Sequence, residues 1–126
     1  MTIVGIGIDL VNVERIRETV EKWESRFLNR IFTPAEQAYS LSSRRPYPHL
    51  AARFAVKEAV LKAFGTGMRR GISWTDIEVR REPSGKPGVV LHGRAKAFTE
   101  TLGVSGILVS VSHDSGYSIG QVILVK

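Results

Sequence analysis

The chain has 126 residues, 43% of them hydrophobic and 24% charged, which is the size and composition of one folded domain and excludes a disordered chain or a collagen-like repeat. It contains no cysteine, which excludes disulfides, thiolate zinc sites and a cysteine nucleophile and fits a reducing compartment. Eighteen Lys and Arg against 12 Asp and Glu leave a net charge of +6, which suits nucleic acid, an acidic protein, an anionic bilayer or a nucleotide-like small molecule alike. No apolar run approaches the ~18 residues of a membrane span, and Met1 to Leu10 lacks the basic start of a signal peptide, so a soluble cytoplasmic protein is expected.

Residues Ile3 to Leu10 alternate, with Val4, Ile6, Ile8 and Leu10 on one side and Gly5, Gly7 and Asp9 on the other. The pattern predicts a strand whose second face is bare enough for another backbone or a ligand to approach. Asp9 stands at the edge of that clearing; read locally, it serves equally well to organise the turn into a helix. Asn12 is the predicted N-cap of that helix, in which Ile16, Val20, Trp23 and Phe27 recur at helical spacing. Arg15, Lys22 and Arg26 share a side of it that could dock an acidic partner, while Glu14, Glu18, Glu21 and Glu24 make a self-paired, solvated face the local alternative. Thr33-Pro34-Ala35-Glu36 reads as a capping box with proline in the first turn, opening a short helix to about Leu41.

After a basic loop from Ser42 to Pro48, the stretch from Pro48 to Phe64 is rich in Ala, has no internal breaker and ends at Gly65 and Gly67. It predicts a long helix with Leu50, Phe54, Leu61 and Phe64 on its apolar side. Trp74 to Arg80 and Val89 to Leu91, separated by Pro83 to Gly88, predict a hairpin. Gly93 to Leu102 predicts a short helix, and Gly106 to His113 and Tyr117 to Val125 two strands split by Asp114-Ser115-Gly116. The expected fold is α+β in a single domain over residues 1–126, with the long helix packed on a mostly antiparallel sheet.

Neither Gly5-Ile6-Gly7 nor Gly65-Thr66-Gly67 has the third glycine of a dinucleotide turn, and Gly85-Lys86-Pro87 lacks the hydroxyl of a P-loop. His49, His92 and His113 are widely spaced with no metal-motif partner, which points away from a transition metal and leaves a hard cation held by carboxylates. On the long helix Glu58 and Lys62 are one turn apart, with Phe54 one turn earlier on the same stripe. An i, i+4 ion pair of about 0.2–0.5 kcal/mol accounts for that spacing by itself. A Glu and a Lys continuing an apolar stripe would also be partly desolvated, which suits a metal or phosphate site. From Arg44 to Arg70 the sequence sets seven basic residues against the single acid Glu58. His113 ends a strand on its apolar face, where it fits either a structural hydrogen bond or a phosphate or sugar contact at the sheet rim.

Together GIGIDLVNVERI (Gly5 to Ile16), RFAVKEAVLKAFGTG (Arg53 to Gly67), WTDIEV (Trp74 to Val79), SGKP (Ser84 to Pro87) and SVSHDSGYSIGQV (Ser110 to Val122) resemble bacterial holo-acyl-carrier-protein synthase. That is the short type of phosphopantetheinyl transferase, and the resemblance covers essentially the whole chain. It implies transfer of the 4′-phosphopantetheine of coenzyme A to a serine of the acyl carrier protein, with adenosine 3′,5′-bisphosphate released. It implies Mg²⁺ held by Asp9 and Glu58 with a pyrophosphate oxygen and waters, and in-line attack by the serine hydroxyl. Glu58 or a water on the metal would take the hydroxyl proton, and Lys62 would stabilise or protonate the leaving phosphate, making Asp9, Glu58 and Lys62 the catalytic set. Coenzyme A would be held by Arg45, Arg53, Lys62, Gly65, Pro87 and His113, its ribose phosphate nearest Arg44 and Arg45. Arg15, Lys22 and Arg26 would meet the acidic carrier protein. The resemblance also implies a homotrimer with active sites between subunits, and no nucleic-acid or membrane partner.

Two other classes remain open on the residues alone. A small basic nucleic-acid-binding domain would explain the charge, although no RRM, KH or zinc-finger pattern is present. A magnesium-dependent phosphohydrolase would use the same two carboxylates.

Overall fold

The computed structural model describes all 126 residues. In chain order it consists of β1 (Ile3–Asn12), α1 (Val13–Trp23), α2 (Ser25–Ile31), α3 (Pro34–Leu41), α4 (Pro46–Phe64), a 3-10 turn (Trp74–Asp76), β2 (Ile77–Arg81), β3 (Pro87–Leu91), α5 (Gly93–Leu102), β4 (Gly106–Asp114) and β5 (Tyr117–Val125). β1, β5 and β4 form an antiparallel sheet in that order, and β2 and β3 a separate hairpin. This is the expected α+β arrangement, a long helix on an antiparallel sheet.

The glycine face of β1 explains how closely helix and sheet approach. A Cβ at Gly5 would strike the Ala63 carbonyl of α4, one at Gly7 the Ala59 carbonyl, and one at Gly120 of β5 would lie 2.7 Å from the Val56 amide. The approach is therefore backbone on backbone, with small residues on both sides. It turns the other face of β1 outward, so Ile6, Ile8 and Leu10 are 61%, 56% and 58% exposed. α4 is buried on nearly every side rather than on one stripe. Val56, Ala59, Val60, Leu61 and Phe64 join one core with the hairpin, β4 and β5, and Leu50, Ala51 and Ala55 another with Val11, Ile16, Ile31 and Phe32.

Several boundaries differ from the sequence expectation, among them β3, which starts at Pro87 and not at Val89. The helix after Asn12 breaks at Glu24, whose φ is 50°, so Trp23 ends α1 exposed instead of continuing a core stripe to Phe27. Asn12 does cap it, accepting from the Arg15 amide at 3.2 Å. α4 starts at Pro46, two residues early, because proline is favoured in a first helical turn. Trp74 to Asp76 is a 3-10 turn and not the start of a strand, since Ser73 and Asp76 cap one another. The Thr33/Glu36 capping box forms as expected. β4 and β5 are joined by Ser115 and Gly116 with φ of 51° and 80°, the mirror-image turn that matches strand twist.

Candidate active site

Asp9 is the next residue after Gly5 and Gly7 on the helix-facing side of β1, and it has the side chain they lack. Lys62 of α4 donates from Nζ to Asp9 Oδ1 at 3.0 Å and to the Ile8 carbonyl at 3.0 Å. The Lys62 ion pair therefore bridges helix and strand, in place of the i, i+4 pair with Glu58 that spacing alone allows. Glu58 is half-buried, and its carboxyl is pushed up first by that burial and then by the Asp9 charge, with Lys62 pulling the other way. Asp9, Glu58 and Lys62 thus form one electrostatically coupled group. Gly65, in the left-handed conformation that ends α4, lines a hollow of about 190 Å³ with Glu58 and Lys62.

A second, larger cleft of about 580 Å³ opens between the start of α4, the β2–β3 hairpin and β4. Arg45, Arg53, Pro87 and His113 line it, together with His49, Arg80, Arg81 and Lys86, and no Asp or Glu is among its lining residues. Arg53 is only 7% exposed. Its Nε has no hydrogen-bond partner, and its terminal nitrogen reaches the His49 carbonyl at a long 3.5 Å. Burial first, then Arg53, Arg81 and His113, hold the His49 pKa below its ordinary value. A buried guanidinium with a free N–H among further cations has the chemistry to hold a phosphate-bearing ligand.

The sequence-derived catalytic and coenzyme A residues therefore fall into two groups. Arg53 and Lys62 are nine positions apart on α4, about two and a half turns, which places them on opposite flanks of the helix. Asp9 belongs to β1 and His113 to β4, the two edge strands of the sheet. Arg15 and Lys22 of α1 and Arg26 of α2 are exposed, and the break at Glu24 means that Arg26 does not continue the side of one helix that the sequence spacing predicts for the three. Lys22 and Arg26 lie 5.1 and 5.7 Å from the Trp23 ring. Arg17 engages both Glu14 and Glu21, which takes two of the four acids out of competition with the cationic side.

One residue of the basic stretch does not belong to any surface field. Lys57 is fully buried, paired with Glu36 at 2.8 Å, and donates to the carbonyls of Trp74 and Ile77. It shares a helical stripe with Leu50, Leu61 and Phe64, a periodicity in the sequence that marks it for burial. Arg81 carries no signal in the sequence and His49 stands there only as an isolated histidine, because only the hairpin's return toward α4 brings them together.

A family model, the 4′-phosphopantetheinyl transferase superfamily, matches residues 5–122. The chain belongs to this superfamily. Among its relatives, a holo-[acyl-carrier-protein] synthase from Koribacter versatilis is 48% identical over 122 residues, which are 97% of this chain and 98% of that one. Superfamily members of known structure agree in fold. The crystal structure of a holo-[acyl-carrier-protein] synthase from Neisseria meningitidis has a TM-score of 0.91 at 34% identity, covering 99% of this chain and 100% of its own. The Helicobacter pylori holo-[acyl-carrier-protein] synthase in complex with coenzyme A has a TM-score of 0.84 at 30% identity, covering 95% and 99%.

Proposed function

We propose that the protein transfers 4′-phosphopantetheine from coenzyme A to a serine of apo acyl carrier protein. The serine Oγ–P bond forms as the diphosphate P–O bond breaks, the serine proton leaves to a base, and adenosine 3′,5′-bisphosphate departs. The observation that carries this reading is the coupled Asp9, Glu58 and Lys62 group, in a chain whose relatives are holo-[acyl-carrier-protein] synthases.

Asp9 and Glu58 fit Mg²⁺. No three His, Cys, Asp or Glu side chains converge in the structure, and Mg²⁺ needs only one or two carboxylates beside substrate phosphates, keeping waters for the rest. The Asp9 charge that opposes ionisation of Glu58 would be offset by a cation between them. When bound, Mg²⁺ supplies charge neutralisation at the diphosphate. Asp9 holds Lys62 in place through the 3.0 Å contact, and Lys62 presents an ammonium to the departing phosphate. Glu58 or a water on the metal would take the serine proton. Gly65 leaves the approach to both side chains open, with nothing within 4 Å of where a Cβ would sit. Arg45, Arg53, Pro87 and His113 hold the nucleotide end of coenzyme A, and Arg15, Lys22 and Arg26 receive the acidic carrier protein.

The working form is a homotrimer with sites between copies. Two observations support it. The metal-ligand group and the cationic cleft lie at opposite edge strands of one chain's sheet, an arrangement that suits a coenzyme A shared between two copies. The outer sheet face is also apolar and uncovered: Ile6, Ile8, Leu10, Leu108, Tyr117 and Ile119 are all exposed. No helix is long and apolar enough to cross a membrane, and we assign the reaction to the cytoplasm.

Intact-mass spectrometry of an apo acyl carrier protein incubated with the protein, coenzyme A and Mg²⁺ tests the transfer. A gain of one phosphopantetheine mass that EDTA abolishes is expected. No gain with several carrier proteins overturns the reading.

A further inference from the structure

Tyr39 of α3 is not among the residues lining the cationic cleft, yet it touches three that are. The Arg53 guanidinium lies 4.4 Å from the centre of its ring and that of Arg81 5.6 Å, while the His49 ring meets it edge-on at 5.5 Å and 89°. Arg53 comes from α4 and Arg81 from the end of β2, so the ring joins two elements through one aromatic group. Two guanidiniums sharing a platform repel one another, and the repulsion is one of the influences that lower the Arg53 pKa. The quadrupole of a phenol ring attracts both and offsets part of that cost. The Nε of Arg53 is left buried without a partner, a state that a phosphate oxygen would relieve.

We propose that Tyr39 is a positioning residue for donor recognition: its ring holds Arg53 and Arg81 converged on the phosphomonoester of the coenzyme A ribose. The inference rests on the function proposed above. Of the two anionic parts of coenzyme A, the diphosphate belongs with Asp9, Glu58 and Lys62, and a cleft with no carboxylate suits the remaining dianion. The phenol hydroxyl has no part in this; the ring face does.

The test is steady-state transfer with coenzyme A and with 3′-dephospho-coenzyme A as alternative donors, using wild type, Tyr39→Leu, Tyr39→Phe and Tyr39→Trp. Tyr39→Leu is expected to raise KM for coenzyme A about tenfold with kcat nearly unchanged, and to leave KM for the dephospho donor within about twofold. Tyr39→Phe and Tyr39→Trp, which keep a ring face, should restore the preference. Equal changes with both donors, or a loss in Tyr39→Phe as large as in Tyr39→Leu, would overturn the proposal. Calorimetric binding of adenosine 3′,5′-bisphosphate against adenosine 5′-monophosphate separates this from failure of the transfer reading. A wild type that prefers the bisphosphate and a Tyr39→Leu protein that does not would uphold the role of the ring even if no carrier protein were modified. Absence of that preference in the wild type would refute it.

Discussion

Glu58 ionises against two handicaps, its own burial and the charge of Asp9. Because its folded pKa is raised, the stability this group contributes is fully present below its ordinary value of 4.5 and is lost as pH rises through the folded value. At neutral pH an ionised Glu58 is thus a net cost. Glu58→Gln should raise Tm while abolishing transfer, measured by thermal melting beside the mass assay; a Tm drop would argue that Glu58 is a structural residue. The sign for activity is opposite, since transfer needs the ionised form. In the metal-free protein the Glu58 carboxyl should titrate above the ordinary carboxylate range by NMR, and Lys62→Met should move that titration further up by removing the neighbour that lowers the Glu58 pKa. Asp9 and Glu58 were legible as candidates in the sequence because each carries charge where its strand or helix pattern asks for none. Tyr39 was not, since its partners lie on α4 and β2 and no local spacing relates them.

Elements show the same division. Gly5, Gly7 and the alanines of α4 could be read as a surface for close approach, and the structure seats α4 there. The sequence could not say which would approach, a ligand or a backbone, because a bare strand face serves either. Gly7→Ala must push α4 away from β1, since its Cβ would overlap the Ala59 carbonyl. We expect a loss of about 3 kcal/mol in urea unfolding and a larger fractional loss of transfer, because Asp9 and Glu58 ride on the two elements being separated. The buried Glu36–Lys57 pair poses the complementary case. Glu36 also accepts from the Thr33 and Val79 amides at 2.8 and 2.9 Å, which fixes α3 and β2 to α4. Glu36→Ala alone should cost about 3–5 kcal/mol, whereas adding Lys57→Met should recover part of that loss because no buried charge is then left unpaired. A double variant no better than the single would mean that the amide contacts, and not the ion pair, hold the hairpin.

Across the whole molecule the decisive prediction is complementation. If the metal-ligand group of one copy works with the cationic cleft of another, Glu58→Ala and Arg53→Gln proteins that are each inactive at low coenzyme A should regain about a quarter of wild-type transfer when dissociated and reassembled in equal amounts. No regain would confine the site to one chain. Light scattering should report the mass of three chains, and Ile119→Arg on the outer sheet face should reduce it to one. Composition could not have foretold this exposed face, since the alternation of Ile6, Ile8 and Leu10 with the glycines does not say which side is covered; α4 seated on the glycine side leaves the isoleucines and Leu10 outward.

β1 pairs with β5 alone, with Asp9 opposite Gly120 and Thr2 and Lys126 exchanging hydrogen bonds at 2.7 and 2.9 Å. During synthesis, then, the strand bearing Asp9 is made before its partner and stays unpaired until residues 117–125 have followed it. α1 to α4 can begin to collapse before that, but the sheet cannot close and the carboxylate cannot be seated. Nascent chains stalled before β5 should accordingly be sensitive to proteolysis along β1 and dependent on chaperones, and activity should emerge only once β5 has been made and has paired.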